Sequence, residues 1–243
     1  NSDEDAEKEK EYISLLASQR VSGVIICPTS SELTDVSPMI ENKISVVAFD
    51  RKLPIETDYV RVDNKAGSLL ATKHLLDSGA TRIACVNGDR SISTAMERLA
   101  GYVEAIEAAG LVAEPELQYF TDFKEEGGFQ ATLKILQMKK LPDAIFVTNN
   151  QMMSGVFHAL RKNKIAVPEQ ISLVGFDDLP WVDIVTPPVT TMRQPTYDMG
   201  MTAVQKLISR FNGDLSGPEE IVFGAELVKR KSSIKKHNSV ASK

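Results

Sequence analysis

The sequence predicts an α/β protein built from parallel sheets flanked by helices. Short apolar runs rich in Val, Ile and Phe recur along its 243 residues, and each is followed by a segment with helical spacing. Strands that alternate with helices in this way form parallel sheets, because each helix returns the chain to the start of the next strand. The length allows one large domain or two smaller lobes, and either can bury a substantial core.

Five of the apolar runs stop on a polar residue. They end at Asp50, Asp63, Asp89, Asn150 and the pair Asp177–Asp178. In open parallel sheets, ligands bind just outside the carboxyl ends of the strands, where side chains from several strands converge. The sequence therefore predicts a ligand cleft lined by these acidic and amide groups.

The elements follow in a regular order. The predicted strands are 21–27, 44–50, 59–63, 82–87, 118–121, 144–149 and 171–176, and the predicted helices are 6–19, 32–42, 65–78, 94–109, 125–139, 151–163 and 196–211. Gly79 and Gly110 end two of these helices, because glycine adopts the left-handed conformation of a helix C-cap at little cost. Prolines bound the segment 186–195, which is predicted to be extended. Since a doubly wound sheet normally begins with a strand, we expect one or two further strands upstream of residue 1.

Composition and charge exclude several classes of function. The net charge of −5 gives this segment no electrostatic reason to hold nucleic acid, and the basic end 229–243 is interpreted as a solvated, disordered tail. No run approaches the ~20 apolar residues needed to cross a bilayer, so no membrane association is expected. Cys27 and Cys85 lie inside predicted strands. Buried, reduced thiols are expected there, which fits a cytoplasmic protein.

Catalytic and metal-binding motifs are absent from the sequence. His74, His158 and His237 lie in different elements, and no Cys/His spacing matches a metal site. There is no nucleophile elbow and no phosphate-binding loop, and Gly127-Gly128 lacks the dinucleotide fingerprint. We therefore expect no metal, no cofactor and no enzymatic activity. Asp177-Asp178 remains open as a carboxylate pair for acid–base work or Mg²⁺, but a strand-end hydrogen-bonding residue beside a turn cap is favoured.

Three further residues have two interpretations each. Arg98 lies in the first turns of a predicted helix, where a cation opposes the helix dipole; it is either an exposed surface residue or a planar donor of paired hydrogen bonds into the cleft. Phe123, in a polar loop, either caps the core or offers a flat face to a sugar or base. Trp181 either lines the same mouth or packs beneath it, and packing is favoured. Carboxylates, an amide, an arginine and an aromatic face together suit a polyhydroxylated ligand.

Several blocks of the sequence, in order, resemble the effector-binding domain of lactose-repressor (LacI/GalR) family transcription regulators. They are 46–51 (VVAFDR), 62–67 (VDNKAG) with 74–76 (HLL), 97–102 (ERLAGY), and above all 172–178 (SLVGFDD) with 186–191 (TPPVTT). The resemblance covers nearly the whole chain. It implies a two-lobed, periplasmic-binding-protein-like fold of type I. Lobe one would comprise 1–62 and 194–222 and be incomplete at its N-terminus, and lobe two 63–193 and 223–232, with 233–243 as a disordered tail.

The resemblance also carries effector-binding roles onto particular residues. These are Asp50, Arg98, Phe123, Asn150, Asp177 and Gln194, with Arg51, Asp63, Thr94 and Trp181 as weaker candidates. It implies a small-molecule effector, a sugar or alternatively a purine, bound between the lobes. It implies a homodimer that binds operator DNA only through a helix-turn-helix headpiece upstream of residue 1, where the first strand and helix of the core would also lie. A transport-associated sugar-binding protein with the same fold is the rival interpretation.

Overall fold

The computed structural model describes residues 1–19 and 21–234, and the end of the predicted tail, 235–243 with His237, lies outside them. The predicted alternation of strands and helices is confirmed. The helices are α1 (Ala6–Ser18), α2 (Ser37–Glu41), α3 (Asn64–Asp77), α4 (Ser93–Ala108), α5 (Glu125–Leu136), α6 (Asn150–Lys162), α7 (Trp181–Ile184) and α8 (Thr196–Phe211). The strands are β1 (Gly23–Ile26), β2 (Ser45–Phe49), β3 (Asp58–Val62), β4 (Ile83–Asn87), β5 (Gln118–Phe120), β6 (Ala144–Val147), β7 (Ser172–Phe176), β8 (Thr190–Arg193), β9 (Glu220–Phe223) and β10 (Glu226–Val228).

The chain divides into two compact units. Unit 1 comprises Asn1–Asp63, Ser91–Thr94 and Pro195–Gly224, and unit 2 comprises Asn64–Arg90, Ala95–Gln194 and Ala225–Lys243. The short segment Ser91–Thr94 belongs with unit 1, whereas the lobe boundaries expected from the sequence placed it in lobe two. Among the described helices, none is long and apolar enough to cross a membrane.

Unit 1 is a four-stranded parallel sheet with helices on both faces. Its strand order is β1-β2-β3-β9. Ile13 of α1 and Met39 of α2 pack with Val46 and Ala48 of β2 in one buried cluster, while α8 packs on β1, β2 and β3. Helix α8 lies so close to Gly23 of β1 that a Cβ atom on Gly23 would lie 2.6 Å from Leu207 Cδ1.

Unit 2 is a six-stranded sheet in the order β10-β8-β7-β6-β4-β5, with only the edge strand β10 antiparallel. Alternate residues of its strands point to opposite faces. Ile145 and Val147 of β6 pack in one apolar cluster with α5 and α6, while Ala144 and Phe146 pack in another with α3 and α4. The central strands are thus covered on both faces, which explains their unbroken apolar sequences.

Gly128 and Gly155 allow α5 and α6 to pack closely. A Cβ atom on Gly128 would lie 2.2 Å from the carbonyl oxygen of Met152, and one on Gly155 would lie 1.9 Å from the carbonyl oxygen of Glu125. Such contacts with backbone cannot be relieved by a rotamer change. The glycine pair noticed in the sequence at 127–128 therefore supplies, at Gly128, a site of helix contact.

We predict that Gly155→Ala destabilises the protein by about 2–3 kcal/mol, because the methyl group must push α5 away from α6. The matched control is Gly200→Ala in α8, where an added Cβ atom meets nothing within 4 Å. There the higher helix propensity of alanine should stabilise the protein by about 0.5–1 kcal/mol. Urea denaturation checks both values, and equal effects of the two substitutions would contradict the packing argument.

Four details differ from the sequence-based expectations. The predicted helix 32–42 is confined to α2, because Pro38 lies in its first turn and the Ser30 hydroxyl accepts hydrogen bonds from the backbone of Glu32 and Leu33. Cys85 is buried, but Cys27 is exposed, since it follows the edge strand β1 instead of lying within it. The single-turn helix α7 and the short strands β9 and β10 were not predicted.

The C-terminal segment is also more ordered than expected. Ser232 and Ser233, part of a single 3-10 turn (Lys231–Ser233), are fully buried. The Ser232 hydroxyl donates to the carbonyl of Leu173 at 2.5 Å, and Ser233 Oγ lies 2.8 Å from His74 Nε2. The interpretation of 229–243 as a solvated tail, which was drawn from its charge, was therefore wrong as far as Ser233, because the hydroxyl groups of Ser232 and Ser233 bind polar groups of unit 2. The lobe boundaries expected from the resemblance had placed 223–232 in lobe two.

Candidate functional site

Predicted site residues of unit 2 follow neighbouring parallel strands. Strands β8, β7, β6, β4 and β5 lie side by side and run in the same direction, so their carboxyl ends share one edge of the sheet. In that order the strands lead into Gln194, Asp177, Asn150, Gly88 and Phe123. The strand-end edge of unit 2, defined by these residues, is where a ligand of an open parallel sheet is expected.

Asp177 is held by two amide side chains. Its Oδ1 accepts a hydrogen bond of 2.6 Å from Gln194 Nε2, and its Oδ2 lies 3.4 Å from Asn150 Nδ2. Its backbone N–H donates to the carbonyl of Met192 at 2.9 Å. Three of the predicted ligand residues thus form one half-buried group on β6, β7 and β8, with a carboxylate at its centre.

Arg98 lies in the second turn of α4 and is buried, with 5% of its surface exposed. Its Nε donates to Asn64 Oδ1 at 2.8 Å, and its Nη1 donates to the carbonyl oxygen of Thr148 at 2.6 Å. The guanidinium carbon lies 3.9 Å from the centre of the Phe176 ring, a cation–π contact. The alternative of an exposed surface arginine is excluded. Asn64, the Thr148 carbonyl and the Phe176 ring form a cage around the guanidinium, and they are the partners that a cation near a helix N-terminus requires.

The cage leaves part of the guanidinium available. Of the five N–H donors of an arginine, one on Nε and one on Nη1 are used by Asn64 and Thr148. Nη2 makes no hydrogen bond to any residue in the described ranges. Thr148 directly follows β6, two residues before Asn150, and Phe176 ends β7, directly before Asp177. The remaining donors therefore lie at the same edge of the sheet as Asp177 and Asn150.

Phe123 packs as a flat lid on the end of β4. Its ring lies over Gly88, where an added Cβ atom would come within 2.0 Å of the ring, and it also touches the apolar cluster beneath. Its backbone has φ 60°, and Asp177 and Asp50 have φ 75° and 63°. Left-handed backbone is uncommon for residues with a Cβ atom. Three of the six main candidates have it, as do four residues elsewhere in the described chain, such as Lys43 and Lys164.

Asp178 has a different role from its neighbour. Its carboxylate accepts hydrogen bonds from Thr191 Oγ1 at 2.6 Å, Arg230 Nη1 at 2.7 Å and Arg193 Nε at 2.7 Å. Burial alone would raise the pKa of Asp178, but these hydrogen bonds outweigh it and lower the pKa to about 2. Asp177 and Asp178 therefore bind separate partners. Asp177 is a strand-end hydrogen-bonding residue, as favoured from the sequence, but Asp178 binds two arginines and a hydroxyl group where a turn cap was expected. Within the described ranges, no group of three His, Cys, Asp or Glu residues could hold a metal ion.

The other candidates lie elsewhere. Asp50 and Asp63 follow β2 and β3 of unit 1, and the buried Thr94 belongs with that unit. Arg51, also in unit 1, uses Nη1 and Nη2 to bind Glu4 at 2.7 and 2.8 Å. Trp181 packs on Phe157, with 6.3 Å between ring centroids. The predicted site residues that meet at the strand-end edge of unit 2 are Phe123, Asn150, Asp177 and Gln194, with Arg98 of α4 beside them. Sequence reasoning missed Asn64, Thr148 and Phe176, which hold Arg98 in place.

These lobes and strand-end groups define a periplasmic-binding-protein-like α/β protein. The model of the periplasmic binding protein-like domain family matches residues 72–233. The transcriptional repressor PurR of Aliivibrio salmonicida is 31% identical over 235 residues, which cover 96% of this chain and 70% of that protein. The ribose operon repressor of Escherichia coli K12 is 32% identical over 216 residues, covering 86% and 64%. A solved complex of the regulator CelR with cellobiose superposes with a TM-score of 0.86 at 30% identity, over 93% of this chain and 70% of that one. The chain belongs to the periplasmic binding protein-like domain family, among the regulators of the lactose-repressor type, which confirms the resemblance.

Proposed function

We propose that this chain is the effector-sensing part of a bacterial transcription regulator, and that it binds a sugar or sugar derivative at the strand-end edge of unit 2. The observation that carries the proposal is the convergence of Arg98, Asn150, Asp177 and Gln194 with Phe123 at the ends of adjacent parallel strands. In this proposal none of these residues has a catalytic role.

The chemistry of the site matches a polyhydroxylated ligand. The carboxylate of Asp177 accepts hydrogen bonds from hydroxyl groups, while the remaining guanidinium donors of Arg98 bind ring and hydroxyl oxygens. Phe123 offers an apolar face to the C–H side of a sugar ring. A purine is the alternative, stacked on Phe123 with its polar edge toward Arg98 and Asp177. The names of the ribose operon repressor and of the CelR–cellobiose complex favour the sugar.

Regulation follows from thermodynamic linkage between effector binding and operator DNA binding. A ligand that prefers one of two conformations by about 100-fold supplies about 2.7 kcal/mol toward it, enough to change operator occupancy substantially. In the proposal, the DNA-binding segment belongs to the full protein, since PurR of Aliivibrio salmonicida is named a repressor of the helix-turn-helix type. The protein acts in the cytoplasm as a homodimer whose two headpieces read two half-sites.

The rival is a transport-associated sugar-binding protein, which uses the same fold. Two features favour the regulator: the repressor names of the relatives, and the free cysteines Cys27 and Cys85, which suit a reducing compartment. The gene sequence upstream of residue 1 separates the two. A helix-turn-helix there contradicts the transport function, and a signal peptide contradicts ours.

We predict that one compound from a panel of pentoses, hexoses, disaccharides, sugar phosphates, sugar acids and purines raises the melting temperature of the full chain. At 100 times its dissociation constant a ligand adds about 2.7 kcal/mol of stability, or about 5–10 °C for a chain of this size. Asp177→Asn should weaken binding of that compound at least about 10-fold, because the charged acceptor is lost. The control is Asp77→Asn, an exposed carboxylate of the same unit that is paired with Lys73, which should leave binding unchanged. Equal binding by wild type and Asp177→Asn would contradict the proposed site.

A further inference from the structure

A buried polar network stands behind Arg98. Asn64, the first residue of α3, is fully buried and lies between two consecutive residues of α4. Its Oδ1 accepts from Arg98 Nε at 2.8 Å, and its Nδ2 donates to Glu97 Oε2 at 2.9 Å. Since a guanidinium can only donate and a carboxylate can only accept, the amide of Asn64 has one possible orientation.

The network decides which way the guanidinium faces. The hydrogen bond to Asn64 fixes the Nε side, the carbonyl of Thr148 fixes Nη1, and the Phe176 ring fixes the plane. Thr148 is itself held, because its hydroxyl donates to Asn87 Oδ1 at 2.6 Å. A long arginine side chain held at three points loses little further freedom when it binds a ligand, and preorganisation of this kind raises affinity.

We infer that Asn64 is a positioning residue for ligand binding, acting through Arg98, and that Glu97 sets the orientation of the Asn64 amide. The inference rests on the proposed function of the strand-end edge. It assigns no ligand contact to Asn64, which is fully buried. Its effect on affinity arises because Arg98 without its Nε acceptor is free to leave the geometry in which its other donors face the ligand.

Substitutions that exchange the amide of Asn64 and the carboxylate of Glu97 test the network. Asn64→Leu removes both hydrogen bonds and should weaken binding of the panel compound with the largest melting shift about 10-fold or more. Asn64→Asp keeps an acceptor for Arg98 Nε but faces the carboxylate of Glu97, so binding should also fall. In Asn64→Asp/Glu97→Gln the amide of the new side chain at 97 donates to the new carboxylate at 64. This double variant has the net charge of the wild type, and its affinity should return to within about 3-fold of the wild-type value.

Glu97→Gln alone keeps an acceptor for Asn64 Nδ2 but no longer imposes one orientation on the Asn64 amide, so it should weaken binding by less than Asn64→Leu does. One control separates positioning from a general loss of stability. Thr72→Val removes a hydroxyl from a fully buried site on the same helix, and that hydroxyl has no hydrogen-bond partner in the described part of the chain. It should leave affinity unchanged.

A second readout needs no ligand. The ¹H–¹⁵N NMR signal of Arg98 Nε–H should exchange with water faster in Asn64→Leu and regain its protection in the double variant. Failure of the double variant to restore both affinity and protection would overturn the inference. If Arg98→Met binds the panel compound like the wild type, the proposed site itself is wrong. If Arg98→Met loses binding while Asn64→Leu keeps it, only the positioning role fails.

Discussion

Replacement of Arg98 by methionine is expected to lower affinity for the effector at least 100-fold, equivalent to about 2.7 kcal/mol. The guanidinium donors that remain after Asn64 and Thr148 are bound are the positive groups of the strand-end edge, and methionine supplies none. The substitution should also cost about 2–4 kcal/mol of folding stability, because Asn64 Oδ1 and the Thr148 carbonyl each lose a buried partner. Titration calorimetry with the panel compound and urea denaturation measure the two losses separately.

A matched cation is available as a control for this prediction. Arg90 also stacks on an aromatic ring, 3.8 Å from the centre of Phe120, but it is exposed. Arg90→Met should change both affinity and stability little. Arg98→Lys should retain charge while losing the fixed fork of donors, and so bind nearly as poorly as Arg98→Met. Full affinity in Arg98→Lys would mean that charge alone matters and that the cage of hydrogen bonds is irrelevant to binding.

Asp178→Asn is expected to destabilise unit 2 by about 3 kcal/mol, since it removes the anion from a nearly buried ion cluster and leaves Arg230 without its main partner. Arg230 Nη1 binds Asp178 at 2.7 Å and also the Val189 carbonyl and Thr191 Oγ1. Arg230 belongs to the C-terminal segment, so this cluster fastens that segment to β8. Denaturant unfolding gives the loss.

The same group predicts a pH dependence with a definite sign. Because the folded-state pKa of Asp178 is about 2 and an unfolded aspartate has a pKa near 4, its ionised form stabilises the fold above about pH 4. That contribution disappears as the pH falls toward 2. The stability gap between the wild type and Asp178→Asn should therefore narrow from pH 4 downward.

Asp183→Asn is the control, because Asp183 also binds Arg230, at 3.1 Å, but is 71% exposed. An exposed pair contributes about 0–1 kcal/mol, so this variant should lose little. If Asp178→Asn and Asp183→Asn lost the same small amount, the cluster would have no structural role.

The strand-end edge could be predicted from the sequence because each of its signals lies within a short stretch of the chain. An apolar run that stops on a polar residue, as before Asn150 and Asp177, is visible in the letters alone. Arg98 could be singled out for the same reason, since a cation near a helix N-terminus is unfavourable without a partner. The identity of that partner could not be found, because Asn64 and Phe176 are distant in sequence and only the packing of α3 and α4 on β7 brings them together.

The failures of prediction have related physical causes. The strands β9 and β10 are four and three residues long and each begins with Glu, so pairing with β3 and β8 defines them more than their own composition does. Ser232 and Ser233 lie in a basic stretch typical of a solvated end. The Ser232 hydroxyl nevertheless donates to the Leu173 carbonyl, and Ser233 Oγ lies within hydrogen-bond distance of His74 Nε2 and Thr190 Oγ1. Partners far along the chain decided each case.

The most direct test of the account is a crystal structure of the full chain with the panel compound that gives the largest melting shift. The account predicts that the compound lies at the strand-end edge of unit 2, within hydrogen-bond distance of Arg98 Nη2 and the Asp177 carboxylate, with a ring face on Phe123. A compound bound elsewhere, for example in the depression between α6 and α7 lined by Phe157, His158 and Trp181, with the strand-end edge empty, would contradict it.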